Sequence, residues 1–447
     1  MVTPAWREEV ARAGRDPDVV QADLARIEAG TPPLDVVRPC VVGDGVARLA
    51  ADALDPLEAS GRAVAAGAIA FVPASGAATR LFAAWRRAEQ GEPVPAARLD
   101  EAPQLAAWEG AATDTRAEGL RRTLTRWADA PKGLVPFHLP RRTAVDEHLA
   151  EAEAMGLAAV HFTVGATHHE AFRAAVSGAA VEVDLSEQDP RTDTVAFTPS
   201  GEPLRDERGL VFRPSGHGAL VGNLSRAAER APRGLVVVKN IDNVVAGVHR
   251  HRVLPWRLRL LGRAAQLRDA QHEILQTADA EAARTLLAQA FGLDVSTDEA
   301  LHELDRPLRV AGVVRDDGEP GGGPYWVRDR DGRVRAQIVE GAQLSDRPAH
   351  ERARSAATHF NPVDMALSVH GPAGPYALAS FVDPDGTMIV RKSHRGRPLL
   401  AVERPGLWNG GMGRWNTAFV ELPAFVFQPV KTMADLLRPL HRDLPLE

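Results

Sequence analysis

Three stretches of the chain carry residue types suited to phosphate chemistry. The first is "FVPASGAATRLF", Phe71 to Phe82, where an apolar run ends in Val-Pro and gives way to Ala74, Ser75, Gly76 and Ala77, then Thr79 and Arg80. Small residues let backbone N–H groups approach an anion closely, the positive end of a following helix adds attraction, and an arginine offers a charge-assisted fork for phosphate oxygens. The loop follows neither the Walker pattern nor G-x-G-x-x-G. A tight strand-to-helix turn, with Arg80 paired to a surface carboxylate, accounts for the same residues. The second stretch is "GLVVVKNIDNVVAG", Gly234 to Gly247. Leu235 to Val238 reads as a central parallel strand, and the polar run after it falls where α/β sheets hold ligands. Asp242 there offers a hard oxygen to Mg²⁺, an ion that takes one or two protein carboxylates beside phosphate oxygens. Capping of a β–α turn is the other reading of Asp242. The third is "FRPSGHGALVGNL", Phe212 to Leu224, where Gly216 and Gly218 flank His217. Two glycines around a histidine permit an unusual backbone path, and a plain turn explains them as well.

These residues need elements to hold them. Short β-rich runs at 68–72, 159–164, 180–185, 194–198 and 234–240 alternate with helical patterns, among them "RTAVDEHLAEAEAMG" with Val145, Leu149 and Ala152 at helical spacing. Such alternation predicts a largely parallel α/β sheet. Residues 1–60 read as an N-terminal segment of short helices. Residues 61–310 read as an α/β core with helical insertions at 91–130 and 261–292. Past the breaker "RDDGEPGGGPYW", residues 311–447 read as a second half of mixed strands and turns that completes the domain.

The 447 residues carry a net charge of −6 and one cysteine, Cys40. Nothing in this balance draws the chain toward nucleic acid, and a single Cys excludes an intrachain disulfide or a multi-cysteine metal site. No stretch approaches the ~20 apolar residues of a membrane helix, and the charged N-terminus has no apolar core of a signal peptide, so a cytoplasmic protein without membrane or nucleic-acid partners is expected. His168 and His169 are adjacent, not at metal-ligand spacing, and read as helix-surface residues. Ser75 lacks the G-x-S-x-G of a hydrolase elbow. Trp408 and Trp415, among glycines, suit either stacking on a ligand or a packed turn.

Several motifs together carry a resemblance. The loop of residues 73–80 is similar to the signature loop of nucleotidyltransferases with the glycosyltransferase-A-like fold, with alanines where that loop usually has further glycines. "PKGLVPFH" resembles the Pro-Lys that follows the loop, and "GHG", "KNIDN" and "FQPVKTMADLL" (Phe427 to Leu437) resemble motifs of UDP-sugar pyrophosphorylases. Taken alone, Lys132 is a loop lysine, and Lys431 precedes an amphipathic helix that buries Met433, Leu436 and Leu437. Over almost its whole length the chain is also identified as a member of a bacterial domain-of-unknown-function family with "VPASGAATR", "GHGAL", "KNIDNV", "GEPGGGP", "THFNPVD", "GLWNG" and "PVKT-x-x-DLL" in this order.

The resemblance implies a glycosyltransferase-A-like, Rossmann-like fold with a mixed, mostly parallel sheet. It implies an Mg²⁺-dependent nucleotidyltransferase that joins a nucleoside triphosphate, UTP by preference, to a sugar 1-phosphate or similar phospho-acceptor and releases pyrophosphate. By that likeness Arg80, Lys132 and Lys431 hold phosphates, and Pro73, Ala74, Ser75, Gly76, Ala77, Thr79, Gly216, His217 and Gly218 bind the nucleotide. Asn240, Asn243, Glu340 and Asn361 meet the acceptor, Asp242 lies by the metal, and Asp364 is a possible second ligand. A glycosyltransferase consuming a nucleotide sugar, or a non-catalytic protein that binds nucleotide or sugar phosphate, shares the same fold.

Overall fold

The computed structural model describes residues 4–30, 34–207, 209–213, 215–318, 321–394 and 397–442; the side chains of 4, 5, 217, 361–363 and 393 are also outside the description. Its centre is a nine-stranded sheet. In chain order the strands are β1 (Val41–Val42), β2 (Gly45–Ala47), β3 (Ala68–Pro73), β4 (Ala159–Val164), β5 (Glu182–Glu187), β6 (Leu235–Lys239), β7 (Leu308–Arg315), β8 (His359–Ser368) and β9 (Asn416–Glu421). Their spatial order is β1-β2-β9-β7-β8-β6-β3-β4-β5. Only β8 pairs antiparallel with its neighbours β6 and β7; the other pairs are parallel. The fold is therefore the mixed, mostly parallel α/β sheet expected.

The two strands that feed the site are apolar because both faces are covered. Leu235 to Lys239 is buried throughout, as are Ala68 to Val72. On one face Ile69, Phe71, Val236 and Val238 pack against the helix α3 (Leu220–Arg230). On the other, Ala70, Val72, Leu235 and Val237 meet α2 (Ala144–Met155) and α4 (Arg250–Thr277). Thr143 caps α2 in a reciprocal box with Asp146, and Gly156 ends it at φ +76°, a left-handed position glycine adopts without steric cost. Val145 and Ala152 face the core as their spacing predicts.

Several expectations are corrected. Residues 1–60 hold helices Pro4–Arg12, Pro17–Ala29 and α1 (Ala51–Ala65), yet strands lie between them: Asp35–Pro39 pairs with Gly323–Arg328, and β1 and β2 join the main sheet. The β-branched run "DVVRPCVV" is short and Pro-interrupted, which hides its pairing. The run 194–198 gives only Thr194–Val195, paired with Phe212–Arg213 outside the main sheet. Residues 91–130 contain one helix, Arg116–Trp127, with short 3₁₀ turns before it, and the helix expected from 261 starts at Arg250. Met433 to Leu437 is a 3₁₀ helix that does bury Met433, Leu436 and Leu437. Trp408 and Trp415 lie in the core and Cys40 is buried and free, so the packed-turn reading of the tryptophans holds. No helix among the described residues is long and apolar enough to cross a membrane.

Candidate functional site

β3 and β6 are parallel neighbours in register from Leu235↔Ala68 to Val238↔Phe71. The loops after Pro73 and Lys239 therefore emerge side by side at the carboxyl edge of the sheet, where α/β folds hold ligands.

The loop after β3 is fixed at both ends. The Ala74 amide donates to the Thr163 carbonyl at 2.7 Å, and the Ala78 amide to Ala130 at 3.0 Å. Between them the amides of Ser75, Gly76 and Ala77, and just past Ala78 those of Thr79 and Arg80, donate to no acceptor among the described residues, and Gly76, Ala77, Thr79 and Arg80 are exposed. Arg80 makes no ion pair among the described residues, so the surface-pair reading of it does not hold. Gly76 does not sit at positive φ, nor do the loop alanines. The path of the loop thus needs no glycine, and alanine serves where the resembled loop has further glycines. The helix after the loop, Ala83–Glu89, is seven residues long and starts beyond Arg80, so the open amides rather than a helix end are what the loop offers.

Lys132 reaches this loop across the insertion. Ala77 and Pro131 form an antiparallel bridge, and the Lys132 amide donates to the Gly76 carbonyl at 3.0 Å. Its ammonium meets Asp242 Oδ2 at 2.6 Å, with both side chains partly accessible. Asp242 has no other side-chain partner among the described residues.

The "PVK" segment arrives from the far end of the chain. Asn243 bridges Pro429, the Val430 amide donates to the Asp242 carbonyl at 3.0 Å, and the Met433 amide donates to the Leu81 carbonyl at 3.2 Å. Lys431 follows Val430, its ammonium over the rings of Phe360 (5.5 Å) and Phe427 (5.8 Å). Thr432 and Asp435 form a capping box, and Asp435 also accepts from the Lys431 amide at 2.9 Å. Backbone pairing therefore gathers the Arg80 loop, Lys132, Asp242 and the Lys431 segment at one edge.

Beneath them lies a buried ionic cluster that sequence reasoning missed. Lys239 pairs with Glu151, Arg257 pairs with Glu151 and with Asp364 (3.1 Å), and Arg257 also donates to the Asn243 carbonyl at 3.4 Å. Asp364 is thus a core ion-pair partner opposite Lys239 in the β6–β8 register, not a second ligand beside Asp242. His148, held well below its usual pKa by burial and then by the charges of Lys239 and Arg257, meets the Ile241 carbonyl at 3.1 Å. A neutral ring donating there pins the Asn240–Asn243 turn. A lysine closing an all-apolar strand is the one local sign of this cluster.

The model for a domain of unknown function (DUF4301) matches residues 4–107 and 115–442. The chain belongs to that family. Residues 108–114 of this DUF4301 protein, between the two matched parts, fall inside the insertion between Arg80 and Lys132. No curated protein matches it. Among solved structures, it is similar to the UDP-glucose phosphorylase of Trypanosoma brucei, at 13% identity and TM-score 0.52, over 98% of this chain and 77% of that one. It is also matched to the inositol-1-phosphate CTP transferase of T. maritima, at 10% identity and TM-score 0.28, over 67% of this chain and 70% of that one. The first likeness supports the fold.

The remaining expected site residues of the DUF4301 chain divide. Gly216 and Gly218 have packing reasons: Gly216 sits at φ +67° against Glu403, and a Cβ on Gly218 would lie 2.7 Å from the Arg404 carbonyl oxygen. The following helix α3 carries Asn223 to Ser186 and the Glu187 carbonyl, at the carboxyl end of β5, so the "GHG" turn stands at the same edge of the sheet as the loop. The side chains of His217 and Asn361 are outside the described residues. Asn243 is buried and accepts from the Gln428 amide at 2.8 Å, which fixes the "PVK" segment and removes it from direct acceptor contact. Asn240 stays half-buried on the turn. Glu340 caps the 3₁₀ turn Gly341–Gln343. Among the described residues no group of three His, Cys, Asp or Glu side chains is placed to hold a metal. Asp242 offers a partly accessible carboxylate in the site, which fits an ion that takes the rest of its oxygens from phosphates.

Proposed function

We propose that the protein is a nucleotidyltransferase that joins a nucleoside triphosphate to a sugar 1-phosphate, or a similar phospho-acceptor, with release of pyrophosphate. The observation that carries this reading is the open-amide loop meeting the Lys132–Asp242 pair and the Lys431 segment at the carboxyl edge of the sheet. A phosphate oxygen of the acceptor attacks the α-phosphorus in line, the bond to the β-phosphate oxygen breaks, and pyrophosphate leaves with its electron pair. Such a displacement asks little covalent chemistry of the protein; positioning and charge neutralisation carry the rate. The amides of residues 75–80 and Arg80 receive phosphate oxygens, Lys132 and Lys431 add positive charge, and the Gly216–Gly218 turn faces the base or sugar. Asp242 would hold Mg²⁺, which when bound neutralises triphosphate charge. UTP is the favoured nucleotide, supported by the UDP-sugar likeness of the motifs and by the named substrate class of the T. brucei neighbour.

The test is to incubate the protein with each NTP and a panel of sugar 1-phosphates, with and without Mg²⁺, and to measure pyrophosphate. Pyrophosphate release and its reverse exchange into NTP are expected. Nucleoside diphosphate release without pyrophosphate would mean glycosyl transfer instead, and calorimetric nucleotide binding with no exchange would mean a binding protein.

A further inference from the structure

A second cleft lies at the opposite edge of the sheet. It encloses about 630 Å³ between β2, β9, α1 and α4, within the range of small-molecule sites. In sheet order β2 stands five strand spacings from β3, roughly 24 Å at the usual spacing, so a molecule here does not overlap the loop of residues 73–80.

Its charges are unevenly matched. Arg38 is held bidentately by Asp44 (2.7 and 3.0 Å) and lies over the Trp326 ring, and Arg48 is held by Glu421. Arg263, half-buried on α4, has no carboxylate partner among the described residues. Immediately behind the wall, Arg309 is 2% exposed and donates Nε to Oγ1 of the lining residue Thr417 at 2.9 Å, again with no carboxylate among the described residues. Burial pulls the pKa of both arginines down, that of Arg309 to about 9, with no opposing negative charge. Uncompensated cations in a desolvated wall are costly, and proteins normally pair them. Val46, Leu57, Phe291 and Trp326 give the wall an apolar part.

We infer that this cleft is a second binding site, for a small organic anion whose phosphate, or similarly charged head, meets Arg263 and whose apolar body lies against Trp326 and Phe291. The inference is independent of the function proposed for the loop site.

The test is calorimetry with phenyl phosphate, inorganic phosphate and benzyl alcohol on the full chain, with Trp fluorescence as a second readout. Phenyl phosphate should bind saturably at one site that excess nucleotide does not displace, and more tightly than either fragment. Arg263→Met should weaken it by at least ~10-fold, the loss expected for a charge-assisted contact, and should leave Tm unchanged or raised because an unpaired charge is removed. Arg263→Lys should retain most of the binding. Absence of saturable binding to the wild type, or equal affinity in Arg263→Met, overturns the assignment. If Arg263→Met fails to fold, Arg263 is a structural residue and the assignment also falls, unless Arg263→Lys shows the head-group preference for phenyl phosphate over benzyl alcohol.

Discussion

Lys132 and Asp242, 110 positions apart in the chain, meet at 2.6 Å. The ammonium is delivered by the bridge at Pro131, and the carboxylate by the turn after a buried strand. Asp242 therefore faces the loop of open amides with its charge already matched, which lets a polyanion approach.

Replacing either cation of the loop should slow turnover without unfolding. Arg80 is exposed and makes no ion pair among the described residues, and the Lys132 backbone is tied to the loop through its amide. Arg80→Ala or Lys132→Ala is expected to lower kcat/KM by at least ~10-fold, about 1.4 kcal/mol of transition-state stabilisation, with Tm nearly unchanged. Wild-type kinetics in both variants would remove these residues from the site.

Asp242, in the turn after β6, and Asp364, opposite the last residue of β6 on β8, should behave oppositely. Asp242→Asn is expected to fold normally, lose most activity and need more Mg²⁺, because its carbonyl still anchors Val430. Asp364→Asn leaves Arg257 short of a buried partner and should cost about 3 kcal/mol or more in stability. Denaturant melts and Mg²⁺ titrations of the two variants, run together, check the contrast.

Gly76 and Gly218 make a similar pair. A Cβ at 76 meets nothing within 4 Å, so Gly76→Ala should stay within about 0.5 kcal/mol of wild type yet bind triphosphate less well, since the methyl takes the space above the amides. A Cβ at 218 runs into the Arg404 backbone, and Gly218→Ala should cost roughly 1–3 kcal/mol. Thermal melts and nucleotide calorimetry separate the two outcomes.

Acid should loosen the C-terminal segment. Burial, and then the charges of His138 and Arg438, hold His441 at about 3, against 6.5 ordinarily. The unfolded chain binds a proton below pH 6.5 that the folded chain refuses, so stability falls as pH drops from 6.5 toward 3, by about 1.4 kcal/mol per unit at most. Urea melts at pH 7.5 and 5.5 should show a smaller loss in His441→Gln than in the wild type.

How far these features were legible depends on range. Strands such as Ala68–Pro73 and Leu235–Lys239 declare themselves because both faces are buried, so the run is apolar without interruption. β7 hides, because Arg309 and Gly312 break its run. "TVAFT" has strand composition, but composition does not say which sheet a strand joins. The candidate site residues Arg80, Lys132, Asp242 and Lys431 are visible as types in motifs. What no local pattern encodes is the pairing of Asn243 with Pro429, or that Glu151 and Arg257, charges on helices, face inward to hold the turn that carries Asp242.

The bridge between Ala77 and Pro131 has a consequence for how this chain tolerates change in length. Everything from Arg116 to Trp127 and the turns before it is closed off by this clasp, which ties Lys132 to Gly76 and Ala78 to Ala130. Doubling a flexible excursion costs only about 0.6 kcal/mol in closure entropy. Extra length, even a guest domain with adjacent termini, is therefore best placed in the exposed turn at 111–113, while Ala97, Leu105, Leu120 and Leu124, packed with Trp85 and Met433, keep the lysine beside the aspartate.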